Sequence, residues 1–329
     1  MSFTLDDKTI LVTGGTGSFG RRFVTTVLQK YRPRKVIVFS RDESKQWEME
    51  QDPAFRSDAM RYFIGDVRDY TRLEMAFRDV DYVVHAAALK HITAAEYNPF
   101  ECIQTNVHGA ENVVRAAIQA GVKKVVALST DKAANPVNLY GASKLASDKI
   151  FVAAKHLVGR GAPLFAVVRY GNVADSRGSV VPLFRSLIQR GETKLPITDP
   201  RMTRFWITLQ QGVDFVLSCF DVMVGGELFV PKIPSIRVVD LAEAMSPGYK
   251  AEIIGIRPSE KLHETMITED DSRSTIELRD RFVITPAIFS EQHTYHPDQR
   301  AVEEGFQYIS HTNSDWLDPE GIRKMLDIA

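Results

Sequence analysis

Short apolar runs rich in β-branched residues recur through the first half of the chain, and each gives way to a longer stretch in which apolar positions return every three or four residues. An apolar run without alternation is what a strand buried on both faces requires, and the stretches between have the period of helices with one apolar face. The pattern predicts strands over residues 9–13, 35–39, 61–64, 82–85, 124–128 and 165–169, with helices over 18–29, 99–120 and 140–157 among the connections. Strand and helix in alternation mean a parallel sheet covered on both faces. Past Gly171 the rhythm breaks, and proline stands at 182, 196, 200, 231, 234, 247 and 258, as expected of a smaller lobe of short elements and binding loops. The expected division is residues 1–171 for the sheet unit and 172–329 mainly for the smaller lobe, with the chain free to cross between them more than once.

Composition sets limits on this picture. At 329 residues the chain is long enough for a large α/β unit with an appended lobe. Its 41 basic and 42 acidic side chains give no electrostatic footprint for nucleic acid or a membrane surface. Cys102 and Cys219 each lie in an apolar stretch and read as buried thiols of a reducing compartment, not as a disulfide framework. The opening MSFTLDDKTILVTGG carries an apolar run too short, and too acidic on its N-terminal side, for a signal peptide or a membrane span, so a cytoplasmic location is expected.

The first chemistry lies between residues 10 and 20, which read as strand, tight turn and helix start, with glycine at 14, 17 and 20. Without Cβ atoms the backbone can approach a pyrophosphate at the helix N-terminus, where free N–H groups and the helix dipole favour an anion. At the first strand of a βαβ series this is the signature of a Rossmann-type doubly wound sheet. An acidic residue after the second strand would accept from a ribose 2′-hydroxyl, but here Ser40, Arg41, Asp42 and Lys45 follow, and a hydroxyl with two cations suits the 2′-phosphate of NADP. The same loop also reads as a solvated surface in which Asp42 and Glu43 offset the charge. Asp66 and Val67, after the third strand, are placed for an adenine edge, or for Asp66 to cap the next helix.

Tyr140-Gly-Ala-Ser-Lys144 is the more specific signal. Positions i and i+4 share a helix face, so the Lys144 ammonium can favour the ionised form of the Tyr140 phenol and make it a base toward a sugar hydroxyl. Asp131-Lys132, just before, reads by itself as a cap and a solvated lysine. His85, His91 and His108 share no metal-ligand spacing, and no metal is expected.

Gly14-x-x-Gly17-x-x-Gly20 with Tyr140-x-x-x-Lys144 resembles the extended short-chain dehydrogenase/reductase family. Within it, Thr130-Asp131-Lys132, Lys90-His91, residues 95–99, 169–173, 176–182, 202–206, 255–258 and 260–264 closely resemble the inverting UDP-N-acetylglucosamine 4,6-dehydratases of the pseudaminic acid pathway, through almost the whole chain. Relatives that retain C5 configuration carry Glu where Lys132 stands. Thr93-Ala94 and Ala174-Asp175 depart from the usual Pro-Val and Val-Gly.

The resemblance implies that Tyr140 takes the proton of the sugar 4-hydroxyl, with the C4 hydride stored on NADP. Lys132, neutralised by burial and neighbouring positive charge, then takes the C5 proton, and protonated Asp131 donates to the departing 6-hydroxyl. A Ser or Thr at the end of the fifth strand, Ser129 or Thr130, assists the tyrosine, and Asn106 supports a proton relay. Thr16, Ser18, Phe19, Ala86 and Lys90 join the cofactor contacts; Lys90, His91, Asn172, Val180, Val181, Thr198, Met202, Arg204, Arg257 and Glu260 form the substrate side. A homo-oligomer, of hexameric order, is implied as well. The rival readings are a C4 epimerase or ketoreductase of a nucleotide sugar, and a non-catalytic NADP-binding regulator.

Overall fold

The computed structural model describes residues 3–158, 163–176, 178–286, 294–295 and 297–328. Arg177, in one of the quoted runs, lies outside them. The first half forms six parallel strands, β1 (Thr9–Thr13), β2 (Lys35–Ser40), β3 (Met60–Ile64), β4 (Tyr82–His85), β5 (Lys124–Thr130) and β6 (Leu164–Tyr170). They lie side by side in the order β3-β2-β1-β4-β5-β6. Each agrees with its sequence expectation to within two residues. Along β1, Ile10 and Val12 enter one apolar cluster and Leu11 the other, all fully buried, which is why the strand shows no polar alternation.

The sheet continues beyond β6 with Glu227–Pro231, parallel to it, and then with the antiparallel strands Arg281–Ile284, Thr275–Glu277 and Arg300–Ala301. The chain thus leaves the large sheet after β6, returns for Glu227–Pro231, leaves, and returns again. Residue 172 marks only the first exit. The smaller lobe packs Val181, Phe184, Trp206, Leu241 and Ile322 into a core of its own.

The expected helix over 99–120 is three pieces, Pro99–Ile103, a π-helical turn Gln104–His108 and Gly109–Ala120. The widened turn carries Asn106, whose amide accepts from Leu89 N at 2.8 Å and donates to Leu89 O at 2.9 Å and to Ser143 Oγ at 2.9 Å. Asn106 thereby ties the loop after β4 to the helix Leu139–Ala153. No helix among the described residues is long and apolar enough to cross a membrane.

Candidate active site

Strand order reverses at β1 and β4, and in such sheets the crevice outside the carboxyl ends of the strands is the binding place. A cavity of about 680 Å³ opens there. Every residue expected on the cofactor side lines it, from Gly14 through Gly20, Ser40 and Arg41 to Ser129, Tyr140 and Lys144. Gly14 has φ +65°, and a Cβ on it would stand 2.8 Å from Ala87 N, so only glycine can make the turn. Helix Ser18–Lys30 begins after Gly17 with no side chain capping it. Its 13 residues direct a helix N-terminus at the cavity, and the glycine cradle fits a dinucleotide pyrophosphate.

At the far end, Thr16 Oγ1 meets Ser40 Oγ at 2.9 Å. The two cations there are already engaged, Lys45 with Asp42 at 2.5 Å and Arg41 with Asp66 at 3.7 Å. Asp42 also caps helix Glu43–Gln51 by accepting from Lys45 N at 3.0 Å. Asp66 does not cap the next helix: Asp69 does, and Asp66 accepts from Arg68 N and pairs with its guanidinium.

The reactive groups come together where β5 ends. A 3-10 turn, Asp131–Ala133, follows Thr130 directly, and helix Leu139–Ala153 starts under an Asn138 cap. A Cβ at Gly141 would collide with the carbonyl oxygen of Lys132, so glycine between Tyr140 and Lys144 lets the helix seat against that turn. Lys132 Nζ lies 3.0 Å from Asp131 Oδ1 and 3.0 Å from Glu264 Oε1, and both carboxylates are buried.

The charges differ from expectation in two respects. Burial pulls the Lys132 amine down, but the carboxylates of Asp131 and Glu264 outweigh it, and its pKa is raised. Lys132 is thus held as an ammonium, not neutralised. The Tyr140 phenol is pushed up to about 12 by burial, and the opposing positive charge comes from Lys132, with a hydrogen bond from Thr130, rather than from Lys144. Lys144 is buried, which lowers its pKa, against the opposing pull of Asp148. Asp131 behaves as expected of an acid: burial and the Glu264 charge raise its pKa. The hydroxyl beside the tyrosine is that of Thr130, because Ser129 Oγ turns away to Asp148 Oδ2 at 2.7 Å.

On the substrate side, Lys90, His91 and Asn172 line the cavity, and Asn172 Oδ1 is buried with no hydrogen-bond partner among the described residues. Val181, Met202 and Arg204 are not brought to it. Val181 belongs to the core of the smaller lobe, because its helix turns that side inward. Arg204 spends its guanidinium on Thr203 O, Leu262 O, Lys261 O and Met202 Sδ, and faces Glu260 at 3.6 Å and Glu264 at 3.8 Å. Val180, Thr198, Arg257 and Glu260 lie in the smaller lobe without lining the cavity, Arg257 being exposed. Thr105 and Leu209 line it unforeseen, and Tyr170, Ser176 and Ser179, quoted only within runs, line it as well. Glu264 was quoted only as part of a run, and nothing in its spacing ties it to Lys132.

A nucleotide-type loop at a reversal of strand order, with Tyr and Lys one helical turn apart at its mouth, defines an extended short-chain dehydrogenase/reductase architecture. The family described as "Polysaccharide biosynthesis protein" matches residues 10–286. The chain is 55% identical over 329 residues to the UDP-N-acetylglucosamine 4,6-dehydratase (inverting) of Campylobacter jejuni serotype O:23/36, covering 98% of this chain and 97% of that one. It is 42% identical over 279 residues to the UDP-glucose 4-epimerase of Rickettsia akari, covering 83% and 81%. The X-ray structure of Pen from Bacillus thuringiensis superimposes with a TM-score of 0.90 at 38% identity, over 98% of both chains. The chain belongs to this polysaccharide biosynthesis family and, within it, to the group of the inverting UDP-N-acetylglucosamine 4,6-dehydratases.

Proposed function

We propose that this protein removes water from UDP-N-acetylglucosamine between C5 and C6 after oxidation at C4, with inversion at C5 and NADP as its cofactor. The observation that carries the reading is Lys132, which lines the dinucleotide cavity with Tyr140 and pairs at 3.0 Å with Asp131 buried behind it. When bound, a nicotinamide would supply a store for the C4 hydride until its return to C6, and with a solvent proton restored to C5 the overall reaction would be redox-neutral. Tyr140 takes the proton of the 4-hydroxyl, aided by Thr130 and the Lys132 charge. A 4-ketone acidifies C5–H, and Lys132 removes that proton as an amine. Asp131 donates its proton to the 6-hydroxyl as it leaves. The reactive pair, neutral amine and carboxylic acid, differs from ammonium and carboxylate only by one proton moved across their 3.0 Å hydrogen bond.

Arg41 and Lys45 support NADP once their carboxylate partners yield to a 2′-phosphate. The early-pathway role in pseudaminic acid synthesis, the cytoplasmic location and a homo-oligomeric assembly belong to the same reading, supported by the 55% identity to the Campylobacter enzyme. A C4 epimerase is the second reading, favoured by the 42% identical relatives of that name. Incubation with UDP-N-acetylglucosamine and mass measurement of the product separates them. Loss of one water is expected; a product of unchanged mass would establish the epimerase instead.

A further inference from the structure

Lys132 faces two carboxylates, and the mechanism uses only one of them. Glu264 comes from the smaller lobe, on the chain leading into strand Thr265–Ile267, and crosses to a residue of the sheet unit. Its backbone is fixed from both sides: its N–H donates to Ser310 Oγ at 2.9 Å, and its carbonyl accepts from Ser310 N at 2.8 Å. Arg204, bonded to Leu262 O and Lys261 O, holds the preceding turn and brings Nε to 3.8 Å from the Glu264 carboxylate. Glu264 Oε2 and Asp131 Oδ2 are both buried without a hydrogen-bond partner among the described residues. A carboxylate buried only to hold the fold together would be expected to satisfy both oxygens.

We propose that Glu264 is a positioning residue for water loss: held 3.0 Å from Lys132 Nζ, it aims that amine at the sugar and sets the charge state of the Lys132–Asp131 pair. The inference rests on the dehydratase reading. The charged groups around the Glu264 carboxylate are Lys132, Asp131, Arg204 and Lys261, with Glu260 beyond Arg204. The fixed negative charge favours the proton on both members of the pair, raising Lys132 and, after burial, Asp131. Taking that charge away without changing shape lets both lose protons more easily. Water loss needs the amine free and the acid protonated, so both limbs of its pH profile move the same way, to lower pH.

The test compares Glu264→Gln with the native enzyme, following water loss from UDP-N-acetylglucosamine by product mass across pH. Both limbs should shift down by about one unit or more, while the rate of exchange at C5 in deuterated water follows the same shifted profile and cofactor retention is unchanged. Glu264→Asp keeps the charge but withdraws it by one methylene; it should leave the limbs nearer their native pH while lowering turnover several-fold. If Glu264→Gln does not fold, a Glu264→Asp enzyme with native turnover and native limbs overturns the proposal. A Glu264→Gln profile superimposable on the native one, or uniformly lowered at every pH, overturns it too and leaves the dehydratase reading standing. A native enzyme that releases no water sinks both.

Discussion

Lys132 shows how far a residue's surroundings can reverse what its type suggests. Burial alone would strip its proton, but two buried carboxylates at 3.0 Å keep it. Lys132→Ala should therefore do two things. It takes away the cation that sits at 3.0 Å from both Asp131 and Glu264, leaving Arg204 at 3.8 Å from Glu264, which costs about 3 kcal/mol of stability by the usual cost of breaking a buried pair, measurable as a lower denaturant midpoint. In the folded fraction it should slow C4 oxidation, by removing the charge that favours the ionised phenol, and halt the reaction there, so that absorbance of reduced nicotinamide builds up slowly on adding UDP-N-acetylglucosamine and no water is lost. Dehydrated product from this variant at the native rate would remove Lys132 from the chemistry. Tyr140→Phe should abolish even the absorbance change, because the phenol is the group placed to take the hydroxyl proton. In the native enzyme C4 oxidation should quicken as pH rises, since the phenol is held near 12 by protein groups and its base form is lost as pH falls.

His85 gives a separate pH signature. Its Nδ1 meets Thr13 Oγ1 at 2.8 Å, and burial, then the Lys144 charge, lower its pKa to about 3. An unfolded histidine takes up its proton near pH ~6.5, so between that value and 3 the unfolded state binds one more proton than the folded state. Its contribution to stability is present above pH ~6.5 and lost as pH falls through this window. Thermal melts of the native protein and His85→Gln should converge as the pH is lowered from 7 to 4.

At the scale of elements, the sheet was legible because a strand buried on both faces leaves its mark in consecutive residues, as Ile10, Leu11 and Val12 show by dividing between two clusters. The glycine loop and the Tyr140–Lys144 helix were legible for the same reason: their chemistry is local. The π-helical turn at Gln104–His108 was not, because it answers to Leu89 and Ser143, which are distant in sequence. Arg204 was expected on the substrate side, since nothing local announces that carbonyls of residues 261 and 262 claim its donors. Gly141 joins the local and the distant. Gly141→Ala should cost about 1–3 kcal/mol by overpacking, pushing the Lys132 turn from the helix. Water loss should suffer more than cofactor affinity, which titration of NADP checks. Asp42 offers the converse case. Asp42→Ala removes a helix cap, at a cost of about 1 kcal/mol, yet frees Lys45. The variant should melt earlier and prefer NADP over NAD more strongly than the native protein; equal preference would discount Lys45 as a 2′-phosphate ligand.

At the scale of the whole molecule, the repeated crossings of the chain matter because they bring residues of both lobes together around Lys132. The sheet unit supplies Tyr140, Asp131 and Lys132, while the smaller lobe supplies Glu264 and Asn172. Asn138 Nδ2 donates to Ser259 O at 3.0 Å and Lys261 Nζ to Ala134 O at 2.5 Å, so the lobes are pinned on either side of the acid–base pair. On the dehydratase reading, a sugar bound in the cavity that Lys132 lines presents one face of C5 to that amine. Once C5 has lost its proton to that amine, the other face of the planar carbon is the one left for a proton to return. Turnover in deuterated water should then place one deuterium at C5 in essentially every product molecule, and NMR couplings of the earliest product should report the L-arabino configuration. Product with the D-xylo configuration at early times would show that the proton returns to the face it left. The inverting assignment would then fail, even with water loss confirmed and Lys132 still required.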